Sequence, residues 1–264
     1  MADADTLREP GAVGLPATPD QQPQPLPPPA APTDVSVMSL VDHLGELRTR
    51  LFRSILAVAV GSVVGFYFSV QIRDFLIAPL PVDHVQVLGI GDGFIIQMKI
   101  SLVAGIILAM PVLLYQVWAF VAPGLTPTER RSVRPWIPMA LLFFSLGVAI
   151  AYIVLPFAIA FLFSFTDDVL VAQPAAGPYF DFVTTMFLAF GLVMEFPILL
   201  VGLSRVGIVT SARLAASRRM VILGIAIFSA VATPGGDLVS PFVLGGTMYL
   251  LFELTVLFIR RSGR

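Results

Sequence analysis

The sequence has no cysteine, two histidines and one lysine, and charged residues make up only 12% of its 264 residues. The absence of cysteine excludes disulfides, thiolate zinc sites and cysteine-bound iron–sulfur clusters. His43 and His84 have no acidic or histidine companion at ligand spacing, so no metal site is predicted. No glycine-rich loop leads into Lys-Ser or Lys-Thr, since Lys99 is followed by Ile100, which excludes a Walker-type nucleotide site, and no other cofactor is expected. A net charge of −1 also argues against nucleic acid as a partner.

Apolar residues are what the sequence has in abundance, at 57% of the chain. An ordinary soluble domain is about 25% charged and has enough polar residues to cover its surface. This chain has too few, so a soluble enzyme is excluded and no enzymatic activity is predicted. The composition is instead typical of an all-α protein that crosses the membrane several times.

The chain divides into three parts. Residues 1–36 are rich in proline and lack any apolar period, which predicts a disordered cytoplasmic tail. Residues 37–260 form the predicted membrane domain, and residues 261–264 form a short cytoplasmic tail. Six apolar blocks follow one another in the membrane domain; they are Leu51–Val70, Phe94–Val121, Pro135–Phe165, Phe182–Leu203, Met220–Ala232 and Pro241–Ile259.

The first four blocks are long enough to span a bilayer, which needs roughly 20 apolar residues. The last two blocks are weak alone, and the turn at 233–237 predicts that they form a hairpin of two short helices. Such helices must thin the bilayer or be shielded by other protein. Prolines interrupt several blocks and predict either kinks that curve the bundle or ordinary tolerance of proline in membrane helices; they are Pro111, Pro138, Pro156 and Pro197.

Basic residues are distributed on one side of this six-span topology. Arginines cluster before the first span, between spans two and three, between spans four and five, and after span six. The other three loops carry mainly aspartates, with Arg73 and Lys99 as their only basic residues. Since basic residues mark the cytoplasmic face, both termini are predicted to be cytoplasmic.

Glu195 is the ionisable residue nearest the middle of a predicted span. A charged residue at that depth costs about 2.5–3.5 kcal/mol on insertion scales, so it normally meets a cavity, a partner or a proton path. A carboxyl group held uncharged there can donate a hydrogen bond. The alternative is a glutamate satisfied within the chain by Thr184 or Ser229. Glu253, closer to the cytoplasmic end, is expected either to snorkel toward the membrane surface or to pair with a loop arginine.

Two further acids are predicted on the cytoplasmic side. Glu46 lies in an amphipathic helix that runs into the first span, and it either forms an exposed intrahelical pair with Arg50 or receives a cationic guest. Glu129 is the only acid in the loop after the second span, where arginines surround it, so it either balances local charge or receives a cation. Together the two acids could bind two guanidinium groups through bidentate, charge-assisted bonds.

Three motifs resemble those of a known family. Residues 39–50, SLVDHLGELRTR, resemble the His-Leu-x-Glu-Leu-Arg-x-Arg signature at the start of TatC, the core subunit of the twin-arginine protein translocase. Residues 115–131, YQVWAFVAPGLTPTERR, and residues 190–197, FGLVMEFP, are similar to its second-span and fourth-span motifs. The resemblance covers about residues 38–260, with matching order and spacing.

The resemblance implies a concave, glove-like bundle of six transmembrane helices in the bacterial inner membrane. It implies binding of twin-arginine signal peptides, assembly with single-span TatA-type and TatB-type subunits, and export of folded proteins driven by the proton-motive force. A homo-oligomer within a larger complex and contact with membrane lipids are also expected. The implied signal-peptide residues are Glu46, Glu129, Arg48, Phe120 and Pro79.

The implied role of the membrane acid Glu195 is a polar contact with partner helices. Two other functions remain open from the residues themselves. A small-solute transporter could use Glu195 as a proton-coupled site, although the chain shows no internal repeat of the kind such transporters usually carry. A purely structural membrane scaffold would leave Glu195 unexplained.

Overall fold

The computed structural model describes residues 40–82, 84–167, 173–205, 207–233 and 236–261. The predicted proline-rich tail of residues 1–36 and residues 262–264 lie outside this part of the chain. The described residues form ten α-helices, no β-sheet and one isolated bridge. The helices are α1 Leu40–Tyr67, α2 Ser69–Ile77, α3 Asp92–Val121, α4 Pro127–Val133, α5 Trp136–Phe163, α6 Ala176–Val193, α7 Phe196–Arg205, α8 Ser211–Ala216, α9 Arg218–Ala232 and α10 Val239–Arg261.

The all-α fold is confirmed, and each apolar block corresponds to a helix or a helix pair. Five segments of the described chain are long and apolar enough to cross a membrane: α1, α3, α5, α6 with α7, and α10. The sixth, α9, has 15 residues, or about 22 Å of helix. It is short as predicted. The prediction of a short last helix was wrong, because α10 has 23 residues and continues through polar positions at both ends of the apolar block.

The bundle has two ends, one carrying the short helix α4 and the other carrying the short helix α2. At the α4 end lie α4, α8, the starts of α1 and α5, and the ends of α3 and α10. There Trp136 packs edge-to-face on Phe258, with ring centroids 5.2 Å apart. At the α2 end lie α2, the start of α3, the end of α5 and the start of α6. Lys99 of α3 forms an ion pair with Asp181 of α6 there.

Glycines let α1 pack closely along α3. A Cβ atom on Gly61 would lie 2.6 Å from the carbonyl oxygen of Gly105, and one on Gly65 would lie 2.7 Å from that of Ser101. A Cβ atom on Gly105 would in turn lie 2.5 Å from the backbone nitrogen of Ser62. Small residues four apart on both helices therefore bring the two backbones together, as in many membrane helix pairs. This contact fixes the register of α1 on α3.

The core lies around α6, whose side chains are the most buried of the spans. Phe180, Phe190 and Met186 are almost completely buried there, between α3, α5 and α10. Gly147 of α5 packs against α6, and a Cβ atom on it would lie 2.4 Å from the carbonyl oxygen of Phe190. By contrast, α1 exposes most of its apolar side chains, as expected of a peripheral span in contact with lipid.

The fourth span is broken into α6 and α7 at Glu195. The chain makes a turn at Met194 and Glu195, and α7 begins at Phe196. Pro197 follows at the second position of α7, where a proline needs no backbone donor. Among the predicted interruptions, Pro197 therefore coincides with a real helix break, whereas Pro111 and Pro156 lie inside α3 and α5.

Candidate functional site

Glu46 lies on the face of α1 that packs against the end of α3. His43, Glu46 and Arg50 share this face, since positions three, four and seven apart line one side of a helix. Arg50 Nε donates to Glu46 Oε1 at 2.8 Å, and Arg50 Nη2 donates to the same oxygen. The predicted intrahelical pair therefore forms. The prediction that the pair is exposed was wrong, because α3 packs on it and the side chains of Arg50 and Glu46 are only 19% and 17% exposed.

Two residues of α3 contact His43 and Arg50, which lie on either side of Glu46 along α1. The ring of Phe120 stacks on His43 with centroids 4.4 Å apart and planes inclined by 18°. One helical turn earlier, the buried side chain of Gln116 accepts a hydrogen bond from Arg50 Nη1 at 3.4 Å. The antiparallel packing of α3 on α1 thus fixes both flanks of the carboxylate.

The second oxygen of Glu46 is not used by this network. Glu46 Oε2 lies 4.0 Å from His43 Nδ1 and makes no hydrogen bond within the described chain, although the atom is buried. An acceptor left in this state costs about 1–3 kcal/mol more than a bonded one. The site therefore has one oxygen bound to a guanidinium group and a second oxygen that lacks a donor.

Glu129 has a local structural role as well as its charge. Its Oε2 accepts from the backbone nitrogen of Thr126 at 2.9 Å and from Thr126 Oγ1 at 2.8 Å, while Thr126 Oγ1 accepts from the Glu129 nitrogen. This is a capping box that begins α4. Neither sequence interpretation anticipated it, although the spacing Thr126-x-x-Glu129 is its usual signature.

The structure brings together only some of the residues that the sequence assigns to signal binding. Glu46 and Phe120 lie in one cluster, and Glu129 lies at the same α4 end of the bundle. Arg48 is exposed and two positions from Glu46, so it lies on a different face of α1. Pro79 follows α2 in a turn at the opposite end of the α1–α3 hairpin.

Glu195 is buried, with 9% of the residue exposed. Its Oε1 atom has no hydrogen-bond partner in the described chain. The two internal partners considered from the sequence are engaged elsewhere, because Thr184 Oγ1 donates to the carbonyl of Phe180 and Ser229 Oγ donates to the carbonyl of Ala226. A buried carboxyl oxygen without a partner, at a helix break, can receive a donor from outside the chain.

Comparison with known proteins identifies the family. The family model of the Sec-independent protein translocase protein (TatC) matches residues 42–246. The chain belongs to the TatC family. It is 40% identical over 235 residues to the TatC protein of Azotobacter chroococcum, covering 87% of this chain and 92% of that one. It is 36% identical over 229 residues to that of Desulforapulum autotrophicum, covering 84% of each.

Solved TatC structures share the fold. A crystal structure described as the twin-arginine translocase receptor TatC in DDM matches with a TM-score of 0.73 and 34% identity, over 82% of this chain and 99% of that one. A second TatC crystal structure gives a TM-score of 0.72. The chain is therefore a multi-pass membrane protein of a protein-transport family, and the resemblance seen in its motifs is confirmed.

Two residues of the TatC site went unassigned from the sequence. Gln116 lies inside the second-span motif, but its bond to Arg50 joins positions 66 residues apart, and no local pattern reports such a contact. The sequence alone assigns His43 no role once a metal site is excluded, whereas the structure shows it between Phe120 and Glu46. Its place in the first motif, three residues before Glu46, is the one signal that points to it.

Proposed function

We propose that this TatC chain is the receptor and core subunit of a twin-arginine translocase, and that it binds the arginine pair of a signal peptide at its α4 end. Export of folded proteins would be driven by the proton-motive force. In this role the chain carries out no catalytic step. Its residues bind the signal, orient it and recruit the other subunits.

The observation that carries the proposal is the state of Glu46. Its carboxylate already binds one guanidinium group, that of Arg50, and its second oxygen lacks a donor. A guanidinium group matches a carboxylate better than an ammonium group does, because its planar N–H donors can form two parallel bonds. A peptide arginine that replaces Arg50 on Oε1, or bridges to Oε2, would satisfy the site.

The second arginine of the pair is assigned to Glu129. This carboxylate lies on the same end of the bundle, and its backbone is fixed by the Thr126 capping box. Phe120 supports the first acid through His43. Arg48 remains a prediction, since it lies outside the Glu46 cluster. Pro79 also remains a prediction, and a signal peptide touching both Glu46 and Pro79 would have to cross the bundle from one end to the other.

Glu195 is the proposed polar contact for the single-span TatA-type and TatB-type subunits. Its unpartnered Oε1 and the adjacent helix break support this role. Because the residue is 9% exposed, a partner helix reaches it through a narrow opening or by displacing α7. A homo-oligomer within the larger complex and surrounding lipid complete the proposed assembly.

The proposed location is the bacterial inner membrane, with both termini in the cytoplasm. The arginine clusters support this orientation, because the α4 end carries the basic residues in the first half of α1, in and after α4, around α8 and at the end of α10. The Glu46 and Glu129 carboxylates then face the compartment in which signal peptides are made.

The test is a binding measurement on the full chain in nanodiscs. A twin-arginine signal peptide and its twin-lysine analogue are titrated against the native chain and the Glu46→Gln variant. Loss of one charge-assisted bidentate contact should weaken arginine-peptide binding about ten- to hundredfold, and lysine-peptide binding much less. If Glu46→Gln affects both peptides equally, Glu46 is not a guanidinium site.

A further inference from the structure

A groove of about 400 Å³ lies between the start of α9 and the outer face of α10, near the α4 end. Its charged lining consists of Arg218, Glu253 and Arg260. Arg218 Nη2 donates to Glu253 Oε2 at 2.8 Å, so of the two alternatives for Glu253 the arginine pair is present, with an arginine that begins α9. This pair does not satisfy either side chain completely, and the groove takes no part in the Glu46 site.

Two atoms of the pair lack partners. Arg218 Nε is a buried donor and Glu253 Oε1 is a buried acceptor, and neither makes a hydrogen bond within the described chain. Arg260, at the outer end of the groove, forms no ion pair with the described residues. The groove presents a cationic surface through the exposed parts of Arg218 and Arg260, with a formal charge of +1 from two arginines and one glutamate.

The rest of the groove is apolar and open. Leu250, Leu254 and Leu257 line it along α10, and these three side chains are about half exposed. Gly246 lies at its far end, fourteen positions before Arg260, which corresponds to about 21 Å along the helix axis. The charged side chains occupy the half of this length from Glu253 to Arg260, and the other half, from Leu250 to Gly246, carries no charged side chain. A phospholipid headgroup followed by its acyl chain has the same order of charged and apolar parts.

The charged end also lies at the depth of lipid headgroups. Phe258, two residues before Arg260, packs on Trp136, and tryptophan side chains favour the membrane–water interface. The neighbouring helix α9 is only 15 residues long and begins at Arg218, so the bilayer surface dips toward the groove or is shielded there. Basic pockets between membrane helices commonly bind anionic headgroups.

We infer that this groove, lined by Arg218, Glu253 and Arg260, binds an anionic phospholipid of the phosphatidylglycerol type. The phosphate accepts from Arg260 and from the exposed part of the Arg218 guanidinium group, and a headgroup hydroxyl donates to the partly exposed Glu253 carboxylate. The acyl chain packs on the leucines of α10. A net charge of −1 on the lipid complements the +1 of the groove, whereas phosphatidylcholine has no hydroxyl donor and no net charge.

The test measures lipid retention by the full chain. The protein is purified in detergent micelles that contain equal amounts of phosphatidylglycerol and phosphatidylcholine, and bound lipids are counted by native mass spectrometry. Arg260→Gln is compared with Arg261→Gln, which removes the same charge from the next, exposed residue. Neither substitution breaks the Arg218–Glu253 pair, so the fold of the helix hairpin is kept.

The native chain and Arg261→Gln should retain phosphatidylglycerol over phosphatidylcholine by about fivefold, and Arg260→Gln should lose most of this preference. Arg218→Gln, compared with Arg219→Gln, should show the same contrast. Equal losses in the groove variants and their controls would overturn the inference in favour of diffuse surface charge.

Further measurements distinguish an anionic lipid in the groove from free phosphate, another lipid or a protein. Excess inorganic phosphate should leave the lipid bound, so displacement by phosphate would overturn the lipid assignment. A preference for phosphatidylethanolamine would overturn the anionic headgroup. If no lipid is enriched, and a photocrosslinker at position 250 captures a single-span subunit in native membranes, the occupant is a protein and the inference is wrong.

Discussion

Arg50 donates twice to one oxygen of Glu46, and this pair occupies the place where a signal-peptide arginine is proposed to bind. The pair lies within α1, so it forms without any partner protein. Its position is supported from α3 through Gln116. The unliganded receptor thus contains a guanidinium group of its own at the proposed site.

Removing Arg50 should strengthen peptide binding. In the Arg50→Gln variant the incoming arginine no longer displaces an internal competitor, and a shielded pair of this kind is worth about 1 kcal/mol, or about fivefold in affinity. The free energy needed to break the Arg50–Glu46 pair is the same for every ligand. The affinities of the twin-arginine and twin-lysine peptides should therefore rise by the same factor. Isothermal titration of both peptides in nanodiscs measures this ratio.

A loss of peptide affinity in Arg50→Gln would give Arg50 a different role. If Arg50→Gln weakens the arginine peptide and abolishes its advantage over the lysine peptide, then Arg50 positions Glu46 and does not compete for it. Gln116→Leu serves as a graded comparison, because it removes only the 3.4 Å contact to Arg50. It should change binding in the same direction as Arg50→Gln and by less.

The charge of Glu129 can be separated from its capping role. In Glu129→Gln the amide oxygen keeps the bond to the Thr126 nitrogen, while the negative charge is lost. We expect arginine-peptide binding to fall about tenfold or more. Thr126→Ala removes the cap and should destabilise α4 by about 1 kcal/mol while sparing most of the binding. If Thr126→Ala is as damaging to binding as Glu129→Gln, Glu129 acts by shaping α4.

Packing of α1 on α3 should be sensitive to a single methyl group. Gly105→Ala places a Cβ atom 2.5 Å from the Ser62 backbone nitrogen, which cannot move without shifting α1. We expect a loss of about 1–3 kcal/mol in stability, measured by thermal unfolding in detergent. In the control, Gly224→Ala, the added atom meets nothing within 4 Å, so stability should stay the same or rise by up to about 1 kcal/mol. Similar losses in both would contradict the close approach.

Assembly should depend on the hydrogen-bonding ability of residue 195. Glu195→Gln retains a donor and an acceptor in nearly the same shape, whereas Glu195→Leu retains neither. Copurification of TatA-type and TatB-type subunits with the chain should therefore be preserved better by glutamine than by leucine. Normal copurification of the Glu195→Leu variant would show that Glu195 is not a polar docking point.

The spans were predictable because their signal is local. The apolar run Phe94–Val121 differs from α3 by two residues at its start, and the run Pro135–Phe165 by one or two residues at each end. Membrane helices are predicted well from sequence because a helix that crosses the bilayer must be both long enough and apolar enough. The error at α10 arose where helix continues through polar residues, since there an apolar count underestimates the length.

The site was only partly predictable because its contacts are not local. The i,i+4 pair of Glu46 and Arg50 follows from spacing, and it formed. The stacking of Phe120 on His43 depends on the register of α1 against α3, which glycine contacts set and which a single sequence does not report. The unpartnered oxygen of Glu195 likewise became evident only when Thr184 and Ser229 were seen to bond elsewhere.

The most direct test of the account is site-specific photocrosslinking in native membranes. Photoreactive residues at Leu47 and Thr128, both exposed beside the two carboxylates, leave Glu46 and Glu129 intact, and Ile90 at the α2 end provides the comparison. The account predicts that the arginine-pair segment of a signal peptide crosslinks at positions 47 and 128, that twin lysine abolishes these crosslinks, and that the segment does not crosslink at position 90. Crosslinks that persist with twin lysine, or that occur at position 90 alone, would contradict it.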